Sequence, residues 1–351
     1  MKKPLFIMAA VAAMACSCDK SSDCVPCQEE QTKGTISVSL DFEDEAQTKA
    51  TSYVTAQPYE VAVNNVQILV FDSTGALNAY VDADNKTSSI EISTTAGNKT
   101  VCAVVNGPNL GSVTTIAGLN AQNIDLGDNS TTSTEGFVMA GSATCTVGST
   151  TATANIPVRR FVSRVALAKV NNGLPASYGQ LTINHVTLTN VVGNQNLAGA
   201  ATPSTWYNKM GRKDGSSVST YIIDGTTYLA SHPSLTFKKV DSIVANGASH
   251  TPSTPYLFYT FQNTTTNDPT GWVTSFTARK TRMVVAATIA GTKYYYPITI
   301  DAPERNTAYT VELTITGLGS PDPDKPVEKG ALTLSVSVEG WANGAVYDET
   351  L

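Results

Sequence analysis

Charge is scarce in this chain. Of its 351 residues only 15% are Asp, Glu, Lys or Arg, and the net charge is −6. With no basic excess there is no patch to hold phosphates, so nucleic acid is excluded as a partner. Histidine is scarcer still: His185, His232 and His250 complete the set of 3, none spaced from another as a metal-binding pair. No serine sits in a nucleophile-elbow context, and no glycine-rich loop leads from a strand into a helix to cradle phosphates. No catalytic residue, metal ligand set or cofactor site can be named, and the chain reads as a non-enzyme; only carboxylates paired in space escape this reading. Sustained helical periodicity is missing too. Abundant Ser, Thr, Gly and Val in alternating runs point to an all-β protein with few short helices, one of them a weakly helical patch between Asn109 and Ile124. The length suggests two domains, each with its own core.

The chain opens on a targeting signal. Lys2 and Lys3 precede an apolar run from Pro4 to Ala15 that is too short to span a bilayer, and small residues then lead to cysteine. The stretch AMACSCDK resembles a bacterial lipobox, so residues 1–18 read as a lipoprotein signal peptide and the protein as exported. Cys16, after Ala15, is the first choice for lipidation; Cys18, after Ser17, is the alternative, and an ordinary signal peptide with incidental cysteines is the plainer reading. Residues 19–33 form a polar tether. Its Cys24-Val25-Pro26-Cys27 lacks both the strand and helix of a redox site and the further ligands of a zinc site. Cys102 and Cys145 lie in strand-like runs and are able to pair in an oxidising compartment if geometry allows.

Two similar strands bracket the rest. In Gly34 to Phe42, Ile36, Val38, Leu40 and Phe42 alternate with Thr35, Ser37, Ser39 and Asp41. Near the far end, Leu332, Leu334, Val336 and Val338 alternate with Thr333, Ser335, Ser337 and Glu339. Each would bury one face and wet the other. After the first strand comes an acidic stretch without apolar periodicity, EDEAQTKATSYVTAQPYE, whose one basic residue is Lys49 before Ala50; such a loop is where proteases cut. Arg159-Arg160 is a second, less accessible dibasic site. A hairpin is expected from Val61 to Phe71, turning at Asp72-Ser73-Thr74-Gly75 and returning over Ala76 to Val81. Further strands are expected at residues 89–94, 99–106, 137–140, 151–158, 180–192, 255–262, 283–289 and 293–300. The domain junction is placed near residue 161, giving a tether plus first strand at 19–49, an N-terminal domain at 50–160 and a C-terminal domain at 161–351. Between residues 193 and 255 loops carry Trp206, Tyr207, Tyr221 and Tyr228, as packing residues or as a surface for glycans or host proteins.

The C-terminal run is the most specific. Tyr294-Tyr295-Tyr296-Pro297-Ile298, Glu304-Arg305-Asn306-Thr307-Ala308-Tyr309 and Val311 to Gly319, closing on Val338-Glu339-Gly340-Trp341, resemble the fimbrillins, the FimA-type (type V) pilins of Bacteroidia. The lipobox and VQILVFDSTGAL match at the other end. The resemblance implies two transthyretin-like β-sandwich domains in tandem, and an outer-membrane lipoprotein precursor that is moved to the cell surface. It implies that a protease cuts after the first strand and that another subunit's C-terminal strand fills the vacated groove, building a fimbrium for adhesion or colonisation. On this sequence the removable strand is Ile36, Val38, Leu40 and Phe42, the scissile bond Lys49-Ala50, and the donor Leu332, Leu334, Val336 and Val338, with the tail to Leu351. The family's protease is arginine-specific, whereas the basic residue here is lysine. Implied partners are other copies or related fimbrial subunits, the outer membrane through the lipid anchor before processing, the processing protease, and host proteins or glycans. The alternatives are a tip or accessory pilin, or a surface lipoprotein that binds glycans or host proteins. Emptying the groove would uncover apolar surface worth on the order of 6–12 kcal/mol if all four side chains are fully buried.

Overall fold

The computed structural model describes residues 32–42, 56–84, 89–131, 133–199, 203–210, 233–268, 276–327 and 330–340, with backbone alone for 337–340. The signal segment with Cys16 and Cys18, the tether cysteines, Lys49, Ala50, Tyr221, Tyr228 and His232 lie outside these residues.

The first half is built from β1 (Lys33–Phe42), α1 (Pro58–Val61), β2 (Val66–Asp72), β3 (Leu77–Asp82), β4 (Ile90–Thr95), β5 (Gly97–Val105), α2 (Ile116–Asn120), β6 (Asn123–Asp125), β7 (Met139–Val147) and β8 (Ala152–Arg160). Strands β3-β2-β5-β7 form one layer and β8-β1-β4 the other, joined where Met139 and Ala140 of β7 pair with Arg160 and Arg159 of β8. Ile36, Val38, Ile68, Val70, Ile90, Ile92, Val101, Ala103, Ile156 and Val158 meet between the layers. This is sandwich packing in which alternate residues of each strand supply the core.

The second half contains β9 (Val162–Asn172), β10 (Leu181–Thr189), β11 (Val191–Val192), β12 (Asn194–Asn196), β13 (Trp206–Tyr207), α3 (Pro233–Thr236), β14 (Phe237–Val244), β15 (Ser249–His250), β16 (Tyr256–Phe261), β17 (Thr281–Ile289), β18 (Thr292–Ile300), β19 (Thr307–Ile315) and β20 (Leu332–Gly340). One sheet runs β14-β10-β17-β18; the other runs β15-β9-β19-β20, with β16 also paired to β9. Phe161, fully buried, is the single residue between β8 and β9. The apolar core of this half extends through Phe161 to Leu69, Phe71, Cys102 and Val104 on the outer face of β2 and β5, which Leu110, Leu119, Leu126 and Phe137 cover. Both faces of β2 are therefore buried, which explains why VQILVF is almost continuously apolar instead of alternating.

Several expectations are refined. The expected first hairpin strand begins at Val66, because Pro58–Val61 forms α1, with Glu60 Oε2 accepting from the Gln57 backbone N–H at 2.8 Å. The turn forms as read: Asp72 Oδ1 accepts from Thr74 N at 2.8 Å and Thr74 Oγ1 at 2.6 Å, and Gly75 takes φ +82°. These hydrogen bonds hold the Asp72 carboxyl below the usual range. The run from 180 to 192 is two strands broken at Asn190, which has φ +55°. The strand expected at Phe137 starts at Met139 and continues to Val147. The weakly helical patch contains α2, capped by Thr115. Cys102 and Cys145 are free thiols. Cys102 packs into the core cluster outside β5, whereas Cys145, opposite Lys99, lies on the face toward the first sandwich core. Side chains on opposite faces of a sheet cannot be bridged.

Candidate functional site: the first strand, its slot and the last strand

β1 is an internal strand. It pairs antiparallel with β4 over Lys33 to Val38 and parallel with β8 over Ile36 to Phe42. Ile36, set between Ile92 and Ala152, and Val38, between Ile90 and Ala154, are 0% exposed. Leu40 and Phe42, beside Ile156 and Val158, are half-buried against the same core. On the wet face Ser39 Oγ donates to Asn155 Oδ1 at 3.2 Å. Two full and two partial burials correct the apolar surface at stake to about 5–9 kcal/mol. Among the described strands β4 has no ladder except the one to β1. Loss of β1 would therefore empty a slot and also strip β4 of its hydrogen-bonded partner.

A feature the sequence reading passed over lies at the mouth of the slot. Gly34 faces the turn that joins β7 to β8, and a Cβ there would come within 2.5 Å of Val147 Cγ1 and 2.6 Å of the Gly148 carbonyl oxygen. A side chain tip can yield; a backbone oxygen cannot without moving the turn. Only glycine fits.

β20 has a different environment. It pairs antiparallel with β19 over Thr307 to Ile315 and is the outermost strand of its sheet. Leu332, Leu334 and Val336 are half-buried against the second core; the side chain of Val338 and the tail to Leu351 lie outside the described side chains. β20 is thus held by one ladder and partial burial, β1 by two ladders and full burial at its centre.

The segment carrying Lys49 and Ala50 leaves β1 at Phe42 and returns to a rigid anchor. Glu60 in α1 is 0% exposed, and its carboxylate accepts from Arg164 Nη1 at 3.0 Å and from the Tyr259 hydroxyl at 2.5 Å. Arg160 Nε donates to the Glu60 carbonyl at 2.8 Å. The rings of Tyr59, Phe137 and Tyr259 close over this group, Phe137 and Tyr259 edge to face at 4.9 Å. Burial, then the Glu60 charge, pushes the Tyr259 phenol far up, so it stays a hydrogen-bond donor. Arg305-Asn306 clamps the same junction. Arg305 Nε and Nη2 donate to the Arg160 and Arg159 carbonyls at 3.1 and 2.9 Å, and its guanidinium lies 4.1 Å over the Phe161 ring. Burial lowers its pKa to about 10, which leaves it charged at neutral pH. Asn306 Oδ1 accepts from the Arg160 backbone N–H at 3.4 Å. The second dibasic site is therefore unfit for a protease: Arg160 is 3% exposed and both carbonyls are occupied.

Of the loop aromatics, Tyr207 is buried and donates to Asp125 Oδ1 at 3.3 Å, while Trp206 tilts against Phe276 at 5.4 Å. Both are packing residues. Among the described residues no group of His, Cys, Asp and Glu is placed to hold a metal ion. His185 is buried beside Phe237, and His250 is stacked on Tyr256, with Nε2 3.0 Å from its hydroxyl.

Comparison with known proteins places this geometry. No curated protein matches the chain in sequence. A candidate cell adhesion protein of Parabacteroides distasonis shares the fold with TM-score 0.61 at 16% identity, over 90% of this chain and 99% of that one. One from Bacteroides eggerthii does so with TM-score 0.57 at 19% identity, over 92% and 98%. A fimbrilin (fimA) from Porphyromonas gingivalis gives TM-score 0.55 at 10% identity, over 91% and 99%. The all-β, two-sandwich fold is thus that of solved fimbrilins and their neighbours. Residues 34–206 match the model for the major fimbrial subunit protein (FimA). That stretch starts at the glycine that closes the slot and takes in β1, its two partner strands and the Glu60–Arg164 junction, and over it the chain matches the FimA-type fimbrillin family.

Proposed function

We propose that the protein is a structural subunit of a cell-surface fimbrium that polymerises by strand exchange. β1 is cut away at Lys49-Ala50, and β20 of a neighbouring subunit enters the slot between β4 and β8. The observation that carries this reading is the contrast between the two strands: the same alternation occupies an internal position in β1 and an outermost position in β20. Moving β20 from its own edge into the slot adds a second ladder and takes the two side chains that reach the sites of Ile36 and Val38 to full burial, about 1 kcal/mol for each. It also restores a partner to β4, as in other cases of strand addition. While β1 is covalently attached, its local concentration outcompetes any donor from solution, so the intact chain is a monomeric precursor and the cut is the trigger. The Glu60–Arg164 anchor holds residues 58–60 in place whether or not the segment before them is cut.

The lipid anchor at Cys16, or at Cys18, would keep the precursor at the outer membrane until release. Its role is structural and not enzymatic. Partners are other copies of the chain or related fimbrial subunits, and adhesion to host proteins or glycans is a property of the assembled filament. The test is Val336→Asp in producing cells. The variant should fold, because the position is a half-buried edge, and should fail to form filaments by electron microscopy. Normal filaments from this variant would remove β20 from the assembly.

A further inference from the structure

Gly34 sets the register in which a donor can enter. Resting on the strand-exchange reading, we infer that the donor segment of a second copy seats with one of its two flanking glycines, Gly330 or Gly340, at the place of Gly34, so that Ser335 lies opposite Asn155. The positions of β1 that face the core are 34, 36, 38, 40 and 42, and the first admits no Cβ because the Gly148 carbonyl stands 2.6 Å away. The donor's apolar residues, Leu332, Leu334, Val336 and Val338, are followed by Gly340 and preceded, two residues back, by Gly330. An odd shift would turn the serines and threonines toward the core. Even shifts that keep at least three of the four apolar residues in the four β1 sites put Glu328, Leu332, Val338 or Ala342 at the closed position, except one for each direction of the donor.

If the donor runs in the direction of β1, that one shift sets Gly330 at 34, Leu332 at 36, Leu334 at 38, Val336 at 40 and Val338 at 42. If it runs the other way, Gly340 takes position 34 and Val338, Val336, Leu334 and Leu332 follow. From Leu332 to Val338, with a glycine two residues beyond each end, the segment has the same polar and apolar order from either end, with Ser335 at its centre. Both polarities therefore put Ser335 at position 39, whose partner in β8 is Asn155. The slot end selects register and leaves the four apolar side chains to fill the four β1 sites.

Paired cysteines read this directly. Neighbouring strands bring partner Cα atoms within the range a disulfide needs, whereas a residue two places along sits about 8 Å away and outside it. Full-length protein carrying Asn155→Cys with Thr333→Cys, Ser335→Cys or Ser337→Cys, all in a Cys145→Ser background, is expressed in producing cells. Filaments are then oxidised and run on non-reducing gels. The expected result is a ladder of covalent oligomers with Ser335→Cys alone. Replacing Asn155→Cys by Thr153→Cys reads polarity, since Thr153 is the partner of Ser37. It should capture Thr333→Cys for a donor running as β1 does and Ser337→Cys for the reverse, and either fits the proposed register. Filaments that form but cross-link Asn155→Cys through residue 333 or 337, or through none of the three, overturn the register while leaving strand exchange intact. Absence of filaments from the Cys145→Ser parent, with the protein folded and exported, overturns the assembly reading and the register with it.

Discussion

Glu60 shows how much one side chain fixes here. It is a fully buried carboxylate whose partners come from β9 and β16, so it ties the segment entering the first sandwich to the second. Glu60→Gln leaves a buried guanidinium without its counter-charge and should cost about 3–5 kcal/mol in chemical denaturation, with the midpoint falling and the slope unchanged. A loss under about 1 kcal/mol would mean that the junction is held by apolar contacts alone. Cys102 gives a second test. Burial raises its thiol pKa to about 11, so the thiolate is absent at neutral pH. Iodoacetamide at pH 8 should leave the Cys102 peptide unmodified in the folded protein and label it after denaturation. Its pairing with Cys145 was open in the sequence because strand-like runs do not say which face each cysteine takes. The register of β5 against β7 decides it.

At the scale of elements, alternation was the reliable signal. β1, β8 and β20 follow it, and the hairpin turn at Asp72 follows from turn chemistry. The pattern was silent where burial is two-sided, as in β2, and where a helix of four residues is fixed by distant partners, as in α1. The resemblance carried by Arg305-Asn306 was legible as a motif, but its job, clamping carbonyls at the junction, depends on residues far away in sequence. The steric demand at Gly34 was hidden for the same reason: nothing in GTISVSL announces that a turn from residue 148 presses on it. Because β1 holds the precursor together and is absent from the proposed filament, Ile36→Ala should act on one state only. It should destabilise the uncut chain by about 2–5 kcal/mol in thermal or denaturant unfolding. Filaments already assembled from the cut form should melt like wild type. Equal weakening of both would show that β1 stays in the assembled subunit.

At the scale of the whole molecule, the proposed exchange turns on one slot and two strands of like alternation, one internal and one outermost. Its low charge and its match over residues 34–206 to the major fimbrial subunit family agree with a building block whose chemistry is association. The sandwich fold alone would serve many roles; the asymmetry between an internal β1 and an outermost β20 is what points to exchange. The most direct measurement is N-terminal sequencing, with peptide mapping, of subunits in filaments sheared from the cell surface. The account predicts a first residue of Ala50, no peptide from Gly34 to Phe42, and full recovery of the 330–340 segment. Subunits that begin upstream of Gly34 and still carry β1 would contradict it.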